Sequence, residues 1–101
     1  MMQGDSYGIK IDVLDSAGAA VTDSDVTEVE IAIGSLIKTY SSGEVKFSDG
    51  QWVFPLSQKE SFKLPATNVK AQVRVVLKNG AVEGASLGDI RVHESISKVV
   101  L

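Results

Sequence analysis

Residues 69–80 read VKAQVRVVLKNG, and this stretch decides the fold class. Odd positions from Val69 to Leu77 are all apolar, whereas the even positions are polar except for Val76. Alternation with a period of two is typical of a β-strand with one buried face and one solvated face. Asn79-Gly80 follows at once, and this pair favours a two-residue type I′ turn with positive φ at both residues. We therefore predict a β-hairpin in which the chain after the turn pairs antiparallel with this strand.

Shorter alternating runs, separated by turn-forming residues, continue along the rest of the chain. They lie at residues 7–13, 26–33, 36–40, 45–47 and 51–56. After the hairpin turn the apolar residues change phase across Gly88-Asp89, which indicates a bulge or a kink in the returning strand. About seven short strands with frequent turns and no long helix are typical of an antiparallel β-sandwich. An up-and-down β-barrel is the alternative architecture.

Only one segment departs from the strand pattern. Ser57 and Glu60 have the spacing of a capping box, in which each side chain accepts a hydrogen bond from the backbone N–H of the other. Pro65 disfavours helical geometry in the residue before it, so little room is left for a helix. We predict a single helical turn near residues 57–62, where the chain crosses from one sheet to the other. A wide loop anchored by the apolar residues of that segment is the alternative.

The composition is that of one globular domain covering residues 1–101. The chain is 44% apolar and 23% charged, has a net charge of −3 and has no cysteine. A negative chain is poorly suited to non-specific nucleic-acid binding, and the missing thiols exclude disulfides and thiolate metal sites. No apolar run approaches the roughly twenty residues that span a membrane, and the start lacks the regions of a signal peptide. We therefore expect synthesis in the cytoplasm, with neither a membrane nor a nucleic acid as partner.

The charge is unevenly distributed along the chain. Residues 1–30 contain seven acidic side chains and one basic side chain (−6), and residues 31–101 contain six acidic and nine basic ones (+3), which together give −3. Such a division could orient head-to-tail contacts between copies of the chain. The simpler interpretation is that strands of opposite charge lie beside each other in one sheet.

Residues suited to catalysis or metal binding are few. His93 is the only histidine, so one chain cannot assemble a histidine pair, and no nucleophile-elbow motif supports a catalytic triad around it. Asp23, Asp25 and Glu28 could supply oxygen ligands to Ca²⁺, although the spacing of an EF-hand is absent. We therefore expect neither enzymatic activity nor a cofactor, and we expect His93 at the surface.

Two aromatic residues, Trp52 and Phe54, lie on one face of the run at residues 51–56. Such a pair could stack on a sugar or a base. Aromatic residues two apart on a strand are more typical of a hydrophobic core. We therefore predict that they are buried together with Val73, Val75 and Leu77.

Residues 52–64, WVFPLSQKESFKL, resemble a segment of small proteins encoded among the structural genes of tailed phages and prophages of Gram-positive bacteria. In that family a Pro-Leu, Ser or Thr, Gln and Glu pattern leads into a Gln-x-Arg strand and an Asn-Gly or Asp-Gly turn. Residues 72–74 and 79–80 of this chain are similar to that strand and turn, and residues 96–101 are similar to the family's closing segment. Lys59 and Ser61 differ from the family's more usual acidic residue and threonine. The resemblance covers residues 45–101.

The resemblance implies an immunoglobulin-like sandwich, similar to the amino-terminal domains of phage upper baseplate proteins. It also implies a structural role in the virion, in the tail, the baseplate or the head surface. The partners would be other virion proteins or copies of the chain itself, and the protein would pass from the cytoplasm of the producing cell into the virion. The alternative is a cell-surface β-sandwich module that recognises carbohydrate or a host protein.

A candidate interface lies at residues 96–101, where four apolar side chains are accompanied by a single charge, Lys98. These apolar side chains belong to Ile96, Val99, Val100 and Leu101. The segment either completes the sandwich as its last strand or offers a strand edge to another protein. Both hold if it pairs internally on one side and exposes its other edge.

Overall fold

Seven β-strands form two antiparallel sheets in the computed structural model, which describes residues 1–101. The strands are β1 (Tyr7–Ile11), β2 (Val26–Ile33), β3 (Leu36–Thr39), β4 (Lys46–Ser48), β5 (Gln51–Leu56), β6 (Asn68–Leu77) and β7 (Val82–Arg91). One short helix, α1 (Gln58–Lys63), connects β5 to β6, and a 3₁₀ turn (Asp23–Asp25) precedes β2. The predicted all-β sandwich with one short helical turn is therefore confirmed.

The order of the strands is that of an immunoglobulin sandwich. One sheet has the order β1-β5-β4 and the other has the order β3-β2-β6-β7. In immunoglobulin lettering these orders correspond to B-E-D and C′-C-F-G. Two sheets with free edges are not a closed barrel, so the barrel alternative is wrong. No strand takes the position beside β1 that strand A takes in an immunoglobulin sheet.

The core lies between the two sheets and follows the predicted alternation. Trp52 and Phe54 on β5 are fully buried, and Val73 and Val75 on β6 are buried with them, as predicted. Leu77 is only half-buried, because it lies at the end of β6. The indole N–H of Trp52 donates to the carbonyl oxygen of Val21 at 3.0 Å, which satisfies the one polar group of that side chain.

The two Gly-containing hairpin turns differ from each other. Asp49 and Gly50 have φ of 52° and 78° and join β4 to β5 as a two-residue type I′ turn. After β6 the predicted two-residue turn is wrong, because only Gly80 has a positive φ, of 89°. The N–H of Gly80 donates to the carbonyl of Leu77 at 2.9 Å, and the N–H of Leu77 donates to the carbonyl of Ala81 at 2.8 Å. This is a three-residue loop, a type I turn followed by a glycine bulge.

Replacing Gly80 by valine is expected to lower the free energy of unfolding by about 1–2 kcal/mol, because a β-branched residue resists positive φ. No atom lies within contact distance of a Cβ built at this position, so the cost is conformational rather than steric. Lys78→Val is the matched control, since it places the same side chain in the same loop at negative φ. Urea denaturation of both variants would measure the difference, and equal losses would contradict the bulge.

The helix α1 begins with the predicted capping box. Ser57 Oγ accepts from the N–H of Glu60 at 3.2 Å, and Glu60 Oε1 accepts from the N–H of Ser57 at 3.0 Å. The helix ends before Leu64, which is buried and precedes Pro65. Since β5 and β6 belong to different sheets, α1 carries the chain across the sandwich, and the wide-loop alternative is wrong.

Strands of opposite charge are neighbours in the four-stranded sheet. Glu30 on β2 lies directly opposite Arg74 on β6. The simpler interpretation of the uneven charge, that strands of opposite charge lie beside each other in one sheet, is therefore confirmed for β2 and β6. A role of the same charges in contacts between copies stays a prediction.

The predicted irregularity in β7 is a β-bulge. Ala71 pairs with Gly88 and Gln72 pairs with Ser86, so Leu87 is an extra residue on β7. Gly88 has a φ of 85°, which glycine adopts readily. Leu87 and Ile90 are three residues apart, so regular alternation would place them on opposite faces of β7. Because the bulge shifts the alternation by one residue, both pack against the core.

Candidate interaction surface

The sandwich has one open side, between β1 and β7. β1 pairs only with β5, and β7 pairs only with β6. Over residues 7–11 and 82–90 the free side of each strand makes no backbone hydrogen bond to another segment. A row of unpaired N–H and C=O groups is a template for an additional strand.

An apolar cleft of about 300 Å³ lies between these two strands, and we call it the edge cleft. Six of its eight lining residues are apolar: Ile9, Ile11, Ile33, Ala71, Leu87 and Ile90. The other two, Lys10 and Asp12, are exposed and form its rim. The cleft exists because no strand beside β1 covers the inner face of β7.

The first half of β7 is exposed on both faces for the same reason. Glu83 and Ala85 lie opposite the buried Val75 and Val73 on β6, yet both are exposed. Val82 is 59% exposed although it is apolar. The open side therefore combines free backbone groups with uncovered apolar side chains.

The candidate interface at residues 96–101 is the most exposed apolar segment of the chain. Ile96 and Leu101 are fully exposed, Val99 is 68% exposed and Val100 is 46% exposed. The segment belongs to no strand, because β7 ends at Arg91. The alternative that it completes the sandwich as a last strand is therefore wrong.

Residues 1–3 pair with the chain at the end of β7. The N–H of His93 donates to the carbonyl of Met1 at 2.8 Å, and the N–H of Gln3 donates to the carbonyl of His93 at 2.9 Å. Met2 and His93 thus form a parallel bridge at the end of β7. Beyond this bridge, Lys98 Nζ donates to Gln3 Oε1 at 2.7 Å and holds the segment near α1.

Two of the three acidic residues considered as calcium ligands, Asp25 and Glu28, accept hydrogen bonds from other parts of the chain instead. Asp25 accepts hydrogen bonds from the N–H and the hydroxyl of Thr22, which hold the pKa of its carboxyl below the usual value. Burial raises the pKa of Glu28, but hydrogen bonds from the hydroxyl and N–H of Ser41 outweigh it and lower that pKa overall. No group of three acidic or histidine side chains is placed to hold a metal ion.

The remaining candidates contribute no site. His93 is exposed, as predicted, and its side chain makes no hydrogen bond. Trp52 and Phe54 have no exposed surface, so neither can stack on a sugar or a base.

An ion pair between a buried lysine and a half-buried glutamate was not predicted. Lys38 on β3 is buried, and its Nζ donates to the carbonyl of Pro55 at 2.6 Å and to Glu60 Oε1 at 2.8 Å. The ammonium also lies 5.1 Å from the centre of the Phe54 ring. Lys38 thereby connects one sheet to β5 and α1 of the opposite layer. The sequence does contain a signal for this burial, since Lys38 lies two residues from both Leu36 and Tyr40 and therefore shares the face on which they pack against the core.

No helix has the length and apolar character that crossing a membrane would require. Comparison with protein-family models, with curated proteins and with solved structures found no match. The function of the open side has to be inferred from its own chemistry.

Proposed function

We propose that the protein is a structural component of a phage virion, in the tail, the baseplate or the head surface, and acts through protein–protein contacts. The virion assignment rests on the resemblance at residues 52–64, 72–74, 79–80 and 96–101. The contact role is carried by one observation, the open side of the sandwich with its two unpaired strand edges and its apolar cleft.

An open side of this kind favours a binding role over a chemical one. A partner strand can satisfy the free backbone groups, while its side chains enter the cleft and provide specificity. The exposed segment 96–101 adds apolar surface that gains stability only when another surface covers it. Partners would be other virion proteins or copies of the chain.

Particle purification tests this role. Phage particles from the producing strain are separated on a density gradient, and the protein is quantified by mass spectrometry in each fraction. We expect it to sediment with the other virion proteins at a constant ratio across the particle peak. A phage-encoded protein absent from mature particles is the control.

A different distribution would contradict the proposal. Recovery of the protein only in the soluble fraction would remove the virion role. Recovery on the surface of uninfected cells would favour the alternative, a module that binds carbohydrate or a host protein.

A further inference from the structure

We propose that the edge cleft receives residues 96–101 of a second copy of this chain as an additional strand beside β1, so that copies are joined head to tail. The inference deepens the proposed function and rests on it, because it names the partner and the two surfaces of one contact.

The acceptor surface has the properties that strand addition needs. The free edge of β1 offers unpaired backbone groups at the position of the strand that this sandwich lacks. Behind that edge, Ile9, Ile11, Leu87 and Ile90 line an apolar cleft of about 300 Å³. This volume is at the lower limit of ligand pockets, roughly 300–1,000 Å³, and suits a few side chains rather than a folded domain.

The donor segment matches this acceptor in length and chemistry. Its six residues would extend over about 20 Å at ~3.3 Å per residue, which covers the five-residue β1. In a strand, Val99 and Leu101 share one face, and this face would enter the cleft. Lys98, the segment's one charged side chain, would point outward toward a rim that carries Asp12 and Lys10. Residues 1–30 have a net charge of −6, although the only charged side chain of β1 itself is Lys10.

The position of the segment favours a second copy over the same chain as donor. β7 ends at Arg91, opposite Asn68 and at the same end of the sandwich as α1. The segment continues past this end, where Lys98 is bonded to Gln3. In the single chain, Val99 and Leu101 line a groove with residues 2–5 and Phe62 instead of entering the cleft, which leaves the cleft open to the segment of another copy. Repetition of such a contact produces rings or filaments.

Disulfide trapping tests the contact directly, because the chain has no cysteine of its own. Val99→Cys is mixed in equal amounts with Leu87→Cys under mild oxidation. We expect a cross-linked pair that contains one of each variant. Asp12→Cys repeats the experiment at the exposed rim without altering a packed side chain. Lys46→Cys, exposed on the opposite edge strand β4, is the control and should give no comparable product with Val99→Cys.

A second measurement concerns association of the full chain, followed by analytical ultracentrifugation over a concentration series. The double variant Val99→Asp, Leu101→Asp should associate about a hundredfold more weakly than the parent, because two apolar side chains lose their burial. Both side chains are exposed in the single chain, so its melting temperature should not change. Raised salt should weaken association of the parent.

Several results would overturn the inference. One is a parent chain that stays monomeric at every concentration, and another is the absence of the mixed cross-link. A disulfide within single monomers of the double variant Leu87→Cys, Val99→Cys would identify the chain's own segment as the occupant. If the protein sediments with particles but shows no cross-link, the inference fails and the proposed function stands. If the cross-link forms but particles lack the protein, the proposed function fails and self-association stands.

Discussion

Replacing Phe54 by alanine is expected to lower the free energy of unfolding by about 3–5 kcal/mol. The ring is fully buried between the sheets, on the same face of β5 as Trp52. The ammonium of Lys38 lies 5.1 Å from the centre of the ring. Its removal leaves a cavity that the surrounding strands cannot close, since both sheets are held by their own hydrogen bonds. A loss of this size is a large part of the ~5–15 kcal/mol that stabilises an ordinary domain.

The matched control is Ile37→Ala on β3. Ile37 is also a large apolar residue on a strand, but it is 61% exposed. Its truncation should change stability by no more than about 0.5 kcal/mol. Chemical denaturation of both variants gives the comparison. Similar losses for the two would mean that the inward and outward faces of the strands are assigned to the wrong sides.

Replacing Glu60 by alanine is expected to cost about 3 kcal/mol or more, because it leaves the buried Lys38 ammonium without its counter-charge. Glu60 also belongs to the capping box, so the two contributions have to be separated. Ser57→Ala removes the other half of the box and should cost only about 1 kcal/mol. Lys38→Met in the Glu60→Ala background should recover part of the loss, since no charge then remains buried. If Glu60→Ala and Ser57→Ala lower the free energy of unfolding equally, the ion pair contributes nothing to stability beyond the capping box.

The same pair gives stability a dependence on pH. The hydrogen bond from Lys38 and those from Ser57 hold the pKa of Glu60 below its usual value of 4.5, against the opposing effect of burial. Near that pH the unfolded chain therefore binds more protons than the folded chain. The stabilisation is present above the usual carboxyl pKa and is lost as pH falls through the lower, folded value. Glu60→Gln should flatten the fall in stability below about pH 5, measured by denaturation at several pH values. Some slope should remain, because Asp25 and Glu28 also have lowered pKa values.

Periodicity predicted the sandwich because its strands are buried on one face only. In β6, Lys70, Gln72 and Arg74 are exposed while the apolar residues between them are buried, so the alternation is visible in the sequence. The capping box of α1 was equally readable, since both partners lie within four residues. Contacts that are local in the chain leave a local signal.

The missed features depend on groups that are distant in the chain. Lys38 is buried because Pro55 and Glu60 supply its acceptors, and neither is near it in sequence. The closing segment forms no strand and is bonded through Lys98 to Gln3, at the other end of the chain. The loop after β6 was assigned to the wrong turn type because Asn-Gly fits either geometry, and the pairing of Leu77 with Ala81 decides between them. The edge cleft exists because no strand pairs with the free edge of β1, and the absence of a strand leaves no pattern in the sequence.

The extra residue at Leu87 has a consequence for how the β6–β7 ladder opens. The first half of β7 is exposed on both faces, so little apolar burial prevents it from sliding along β6 by two residues. The bulge at Leu87 and the three-residue loop at Gly80 each fit only one register of the pairing between β6 and β7. A shift of β7 along β6 would have to disrupt both. The outer half can therefore unzip from the loop as far as the bulge and close again without misalignment. Amides of residues 82–86 should exchange with solvent faster than those of residues 89–91, with the boundary at the bulge.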